Sequence, residues 1–523
     1  MEPILTALQQ KQCEQATILS GTPSTVLMER AAHALVDLVT GPLLSDRLTT
    51  RLIGVLCGYG NNGGDGLAAA RLLHVAGFSV FVTFVSDRGF HTEPEKSHLS
   101  PECLAQYTAA LNAGVPFRMP EDTVTVWIDA VFGIGLNRPL SAPYISCFEF
   151  INKTMVPVLA ADIPSGVNAT TGQLSGAALR CTATLCFGNI KSGCMLYPGA
   201  EYAGTVYSDS IGMDAFSQDQ PEILQMPDDK DVSSLLPRRA PDAHKGSFGR
   251  LLCICGSPGM CGAAILAAKS AYRIGAGLVE ILTCEANRIP LQTALPEAVL
   301  TLYSDTDDLQ DLVNSAMSRA QAVLIGCGLG QSQTAYTLLK AVLGSMTSEK
   351  SLIIDADALN ILTAHPELHS SIPVQAVLTP HVKEASRLLG MTAEEVSSDL
   401  LTASRSLAER YYCTCLLKSS RSILSSCGTT HHPVLIATGS SVLAKAGSGD
   451  VLAGAVAGLC AESFSSVSNP VERSFRAALC GAYLHGKSGN MAAQNFGQSG
   501  VLASDTADCL GLARDDTSAH GLL

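Results

Sequence analysis

Short apolar runs alternate with helical stretches along almost the whole chain, and that alternation is what most restricts its fold. In the first half the runs fall at 52–57, 80–85, 124–129 and 156–161, with weaker ones at 183–187 and 204–207. Helical spacing occupies 25–39, 67–76 and 101–113. Strands alternating with helices predict a parallel sheet covered by helices. A second series follows at 250–255, 278–282, 322–325, 352–355, 376–379, 414–418 and 434–437, and the chain is helix-rich from Asp450 onward. The two series do not repeat each other. Between them, 214–243 is rich in Asp, Gln, Pro and Ser, as in Gln218-Asp219-Gln220-Pro221, which is the composition of a linker. The expectation is an α/β protein of two different domains, 1–215 and 241–523, joined by 216–240.

Composition narrows the partners. Hydrophobic residues are 47% and charged residues 15% of the 523, enough for two large cores. A net charge of −13 with no basic run excludes a nucleic-acid footprint. No run reaches the roughly 18 apolar residues that span a bilayer, so no membrane partner is expected. Met1-Glu2-Pro3-Ile4 lacks the basic-then-apolar order of a secretory signal. The 18 cysteines are scattered through apolar segments without a single C-x-x-C pair, and they read as buried, reduced thiols. A cytoplasmic setting is expected.

Polar clusters sit just past the ends of the early strands. The first is Gly58-Tyr59-Gly60-Asn61-Asn62-Gly63-Gly64-Asp65-Gly66, which reads as a loop before the helix expected at 67–76. Glycines there expose backbone N–H groups at a helix start, a site for anions. The spacing matches neither the P-loop nor the G-x-G-x-x-G pattern. The second cluster runs from Asp129 through Gly133 and Gly135 to Pro139, and the third is Asp162-Ile163-Pro164-Ser165-Gly166. Each alone is ordinary turn composition. Together they mark the carboxyl edge of a parallel sheet, where ligands bind.

These three motifs, in this order, resemble the NAD(P)H-hydrate epimerase domain over residues 1 to about 215. The resemblance implies a Rossmann-like three-layer αβα fold that interconverts the two C6 epimers of hydrated nicotinamide cofactors. It implies substrate contacts from Asn61, Asn62, Gly63, Gly64 and Asp65, from Gly133, Ile134, Gly135, Leu136, Asn137, Arg138 and Pro139, and from Asp162. It also implies a potassium ion held by Asn62, Asp129 and Ser165, with Asp162 as the acid/base group.

In the second half the sharpest signal is Ala446-Gly447-Ser448-Gly449-Asp450, which opens an Ala/Gly-rich helix. Backbone N–H groups at such a start can face charge developing on a phosphoryl group, and the aspartate can accept a proton from an attacking hydroxyl. Companion segments are 244–249, 256–264, Gly326-Cys327-Gly328, Asp355-Ala356-Asp357 and Thr379-Pro380-His381. This set resembles the ribokinase-like αβα NAD(P)H-hydrate dehydratase over about 230–515. The resemblance implies Asp450 as catalytic base, hydrate contacts from Ala263, Gly328, His381 and Asp450, and adenine-nucleotide contacts from Lys418, Ser419, Ser420, Arg421, Ser422 and Gly449. ADP or ATP is the implied co-substrate, with ADP expected from the fused bacterial-type architecture, and magnesium the implied ion. A homo-oligomer, a tetramer or larger, is implied as well.

The chain departs from that pattern in three places. Val382 and Lys383 stand where the family has proline and glycine, Ser419 follows Lys418 where a glycine is usual, and Lys487 replaces a usual alanine. The second half alone also fits a ribokinase-like small-molecule kinase with an accessory Rossmann-like domain, and the whole chain fits a nucleotide-sensing binding protein.

Overall fold

The computed structural model describes residues 1–41, 52–121, 123–213, 223–304, 306–428 and 430–520. The chain forms two compact units, one of Pro3–Leu224 and one of Gln225–Leu523 together with Met1–Glu2.

The first unit carries strands β1 (Glu2–Leu5), β2 (Leu52–Cys57), β3 (Ser79–Ser86), β4 (Gly89–His91), β5 (Val124–Ala130), β6 (Val158–Ala161), β7 (Ala183–Phe187), β8 (Ile190–Lys191) and β9 (Thr205–Asp209). Its main sheet has the order β4-β3-β2-β5-β6-β7-β9. All pairs are parallel except β3 with β4. From β2 the chain steps outward to β3 and then returns to β5 on the other side. The switch in strand order therefore lies between β2 and β5, the place where such sheets open a ligand crevice. Strands β2, β5 and β6 are consecutive in the sheet, so the three polar clusters that follow them emerge side by side.

Local sequence explains the glycines differently from the expectation. The helix begins at Asn61, not at 67, and runs Asn61–Val75, so Gly63, Gly64 and Gly66 lie inside its first two turns. Glycine costs a helix interior about 1 kcal/mol against alanine. Close packing imposes it here. A Cβ on Gly63 would lie 2.1 Å from the Gly58 carbonyl oxygen, one on Gly66 would lie 2.5 Å from Ala130 Cβ, and one on Gly58 would lie 2.0 Å from the Val131 carbonyl oxygen. The cluster is thus a helix pressed against the sheet edge. The expected helix at 25–39 is Ser24–Thr40, and a further helix, Ala7–Leu19, opens on a Thr6/Gln9 capping box.

The second unit carries β10 (Leu224–Met226), β11 (Arg250–Ile254), β12 (Leu278–Cys284), β13 (Val299–Tyr303), β14 (Ala322–Ile325), β15 (Ser351–Ile354), β16 (Ala376–Leu378), β17 (Thr414–Leu417), β18 (Ser422–Ser426) and β19 (Val434–Ile436). They run in the order β13-β12-β11-β14-β15-β16-β17-β18-β19-β10. The pairing is parallel from β13 to β17, and β18 is antiparallel to both neighbours. The Ala/Gly-rich helix Ser448–Glu462 is buried over nearly its whole length. Gly454 lets it approach helix Cys261–Ile274, since a Cβ there would lie 2.1 Å from the Ala267 carbonyl oxygen.

The expected linker is ordered along its described part. Residues 216–222 lie outside the described residues, but β10 follows, and then helix Asp229–Leu235 behind an Asp228/Asp231 capping box. Asp229 Oδ1 accepts from Lys487 Nζ at 2.7 Å, Tyr483 Oη at 3.0 Å and Thr517 Oγ1 at 3.2 Å. This accounts for Lys487, which joins helix Pro470–Phe496 to Asp229 and to the last helix, Ala503–His520. Nearby, Arg239 donates to Glu462 at 2.8 Å, and Arg514 donates to Glu462 at 2.6 Å and to the Pro237 carbonyl. Polar side chains hold this apolar-poor segment where a hydrophobic pattern gives no sign of it.

Glu462 is almost fully buried, with a side chain 1% exposed. Replacing it by alanine leaves the buried Arg514 guanidinium without its counter-charge. Glu462→Ala is expected to destabilise this unit by about 3 kcal/mol, read as a lower midpoint of chemical unfolding.

Candidate active sites

In the first unit, a cavity of about 650 Å³ opens at the carboxyl edge of the sheet. Asn61, Asn62, Asp65, Gly133, Ile134, Gly135, Leu136, Asn137, Arg138 and Asp162 all line it. Gly63 and Gly64 do not; they are buried in helix packing. Pro139 lies outside the lining as well. Gly133 separates the two principal polar groups: a Cβ there would lie 3.4 Å from Asn62 Cβ and 3.6 Å from Asp162 Oδ2.

Asp129 and Ser165, which do not line the cavity, are buried against each other. Ser165 donates through Oγ to Asp129 Oδ1 at 2.6 Å and through its backbone N–H to Oδ2 at 2.7 Å. Burial pushes the Asp129 carboxyl up to about 6, against the pull of these hydrogen bonds. Asn62 Oδ1 and Nδ2 are buried with no hydrogen-bond partner. An orphaned buried carboxamide is costly unless something satisfies it. Amide, carboxylate and hydroxyl oxygens are the donors a hard cation takes, so this set fits potassium.

Of the charged residues lining this cavity, Lys11, Glu14, Glu102 and Lys191 went unseen in the sequence. Lys191 is fully buried, lines the cavity, and ion-pairs with Asp162 Oδ1 while also donating to the Phe187 carbonyl. A lysine within the largely apolar run 183–196 was the available signal. Glu14, from helix Ala7–Leu19, also lines the cavity. Asp65 is held well above the usual carboxylate range by burial and by the charges of Asp162 and Glu14.

In the second unit, β11, β14, β15, β16 and β17 lie in that order, and the segments after them share one edge. Asp355 is the hub. Its Oδ1 accepts from Lys418 Nζ and from Thr379 Oγ1, each at 2.7 Å, and Cys327 Sγ lies 3.8 Å from its Oδ2. Asp450, in the first turn of helix Ser448–Glu462, joins Cys327 and Asp355 in a group whose polar atoms lie within 4.8 Å of one another. Burial, then Asp355, pushes Asp450 up to about 6. Gly449 brings the helix start to Lys418, with a built Cβ 3.4 Å from its Nζ. Gly328 and Ala263 are neighbours too, a built Cβ on the glycine falling 2.8 Å from Ala263 Cβ.

His381 has a structural task. It caps helix Val382–Leu389, its Nδ1 accepting from the N–H groups of Lys383 and Glu384 at 3.1 and 3.2 Å. Nε2 lies 3.4 Å from Glu384 Oε1, and burial followed by Lys418 lowers the pKa of the ring. Ser419, Ser420, Arg421 and Ser422 turn the chain from β17 into β18, and Arg421 donates to the Ala437 carbonyl at 2.6 Å. No positive φ occurs among them. The serine in place of glycine is thus accommodated without backbone strain. Ser448, named in the motif at 446–450 without a role, lies 3.2 Å from the buried His485, to which the sequence reading gave no part in the site.

Two family models match the chain, one described as YjeF-related protein N-terminus over 24–193 and the other as NAD(P)H-hydrate dehydratase over 251–511. The bifunctional NAD(P)H-hydrate repair enzyme of Coxiella burnetii is 33% identical over 499 residues, 95% of this chain and 96% of that one. The chain belongs to the bifunctional NAD(P)H-hydrate repair enzyme family. The Escherichia coli member of this repair-enzyme family is 34% identical over 461 residues, 86% of this chain and 82% of that one. Among solved structures, an ADP/ATP-dependent NAD(P)H-hydrate dehydratase from Bacillus subtilis, co-crystallised with ATP and Mg2+, aligns with a TM-score of 0.47 at 25% identity, over 56% of this chain and 99% of that one. Among the described residues of this repair-family chain, no helix is long and apolar enough to cross a membrane.

Proposed function

We propose that the first unit interconverts the two C6 epimers of hydrated NAD(P)H and that the second returns the S form to NAD(P)H at the expense of ADP, giving AMP and phosphate. The observation that carries this reading is a buried carboxylate at the sheet edge of each unit, in a chain whose family performs metabolite repair. In the first site Asp162 moves the proton at the reacting end of the hydrate, and Asn61, Asp65 and the 133–139 segment orient the substrate. Asn62, Asp129 and Ser165 would hold potassium, which would supply fixed positive charge to the site.

In the second site Asp450 accepts the proton of the C6 hydroxyl as its oxygen bonds to the terminal phosphorus of ADP, while the bond from that phosphorus to the bridging oxygen breaks and AMP leaves. The phosphorylated oxygen is then a leaving group. Loss of phosphate and a ring proton restores the unsaturated ring. The N–H groups at the start of helix Ser448–Glu462 and the Lys418 ammonium face the charge on the transferred group. Ser419 to Ser422 contact the adenine nucleotide, while Ala263, Gly328 and His381 contact the hydrate. The Asp355 carboxylate would be the hard donor for magnesium, which would neutralise phosphate oxygens when bound. A cytoplasmic, homo-oligomeric enzyme completes the proposal, supported respectively by 18 unbridged cysteines and by the family resemblance.

The test supplies hydrated NADH with ADP or with ATP and follows recovery of the reduced-nicotinamide absorbance. Recovery with ADP is expected. A stable phosphorylated product indicates a small-molecule kinase, and binding without turnover indicates a sensor.

A further inference from the structure

Asp162 is constrained from two directions. Its backbone adopts φ +71° in the left-handed region, a conformation that non-glycine residues hold only when their surroundings impose it. Its N–H donates to the Leu185 carbonyl at 2.8 Å, which fixes that turn against β7. The carboxylate is fixed separately. Oδ1 accepts from the Phe187 N–H at 3.2 Å and from the Lys191 ammonium, and every hydrogen bond that this carboxylate makes among the described residues goes to Oδ1. Oδ2 points toward Gly133, the glycine that also borders Asn62.

Resting on the epimerase reading of this site, we propose that Lys191 is its positioning residue: it ties down Oδ1 of Asp162 and so presents Oδ2 as the oxygen that meets the substrate. The placement of Lys191 supports this. Its side chain has no exposure, so the ammonium gave up its hydration to sit here, and such burial persists only with a charged partner in good geometry. Asp65 and Glu14 also lie close by, each acted on by both Asp162 and Lys191. Lys191 is the buried cation among three carboxylates. It also lines the cavity, so removing the side chain frees space at the edge of the substrate site.

That space allows a chemical-rescue test. The full chain is assayed without nucleotide, with the two NADH-hydrate epimers separated by chromatography. Lys191→Ala is expected to lower kcat for epimerisation by about 100-fold, with KM changing less than about threefold. Added propylammonium is expected to restore at least about tenfold of the loss, whereas the same concentration of sodium salt does nothing. Lys191→Arg keeps the charge and is expected to retain more activity than Lys191→Ala, and it is the informative variant if alanine proves unstable on thermal melting. A Lys191→Ala enzyme within threefold of wild type overturns the proposal, and so does a loss that neither arginine nor the amine relieves. If instead Asp162→Asn epimerises at the wild-type rate, the reading of the site itself fails, independently of Lys191.

Discussion

Asp450→Asn is expected to slow nucleotide-dependent recovery of NAD(P)H from its hydrate by about 10²- to 10⁴-fold. Asparagine keeps the size of the side chain and can still occupy the helix start, but it cannot accept the hydroxyl proton. Asp355 and Lys418 are untouched, so ligand binding should survive, and the effect belongs in kcat. The pH profile supplies an independent check. With burial and Asp355 holding Asp450 near 6, the base becomes ionised as pH rises through that value. For wild type, kcat/KM therefore rises with pH around 6, and the residual activity of the variant lacks that limb. A variant that keeps a tenth or more of the rate would remove Asp450 from its role.

Asp162→Asn is expected to abolish most epimerisation, again by about 10²- to 10⁴-fold. It has a second consequence that the Asp450 change lacks. Lys191 stays behind with its ammonium fully buried and only a neutral amide before it. An unpaired buried charge costs about 3 kcal/mol or more. Asp162→Asn should therefore unfold at a lower denaturant concentration than wild type, and its rate must be measured per folded molecule. Loss of activity with unchanged stability would mean that Lys191 finds another partner, and normal epimerisation would exclude Asp162 as the proton-transfer group.

Much of the architecture was legible because parallel strands buried on both faces read as continuous apolar runs, and because β2, β5 and β6 end in residues that only a turn or a site would use. The glycine cluster at 58–66 was seen but misread. Composition suggested a loop, while contact with Gly58 and Ala130 makes glycine necessary at 63 and 66 inside a helix, and no local signal carries that information. Lys191 and Asp162 are distant in sequence, and so are Lys418 and Asp355; pairings of this kind are set by strand order, which a single sequence does not state. His381 was singled out for chemistry, and the structure adds its capping bonds and its contact with Glu384. The segment ahead of the second unit was read as a linker because polar composition looks alike whether its side chains face water or, as with Asp229 and Arg239, fixed partners.

The anchoring of that segment sets where the chain can be cut. Asp229 is tied to Lys487 and Thr517, and Glu462 to Arg239 and Arg514, so the opening residues of the second unit are fastened to its closing helix. A fragment begun at 241, where apolar patterning resumes, would discard Asp229 and Arg239 and leave Lys487 without its Asp229 contact. A separable second half must start near 223. During synthesis the same unit cannot complete its fold until helix Ala503–His520 has left the ribosome, so Asp229 waits for a partner made long after it.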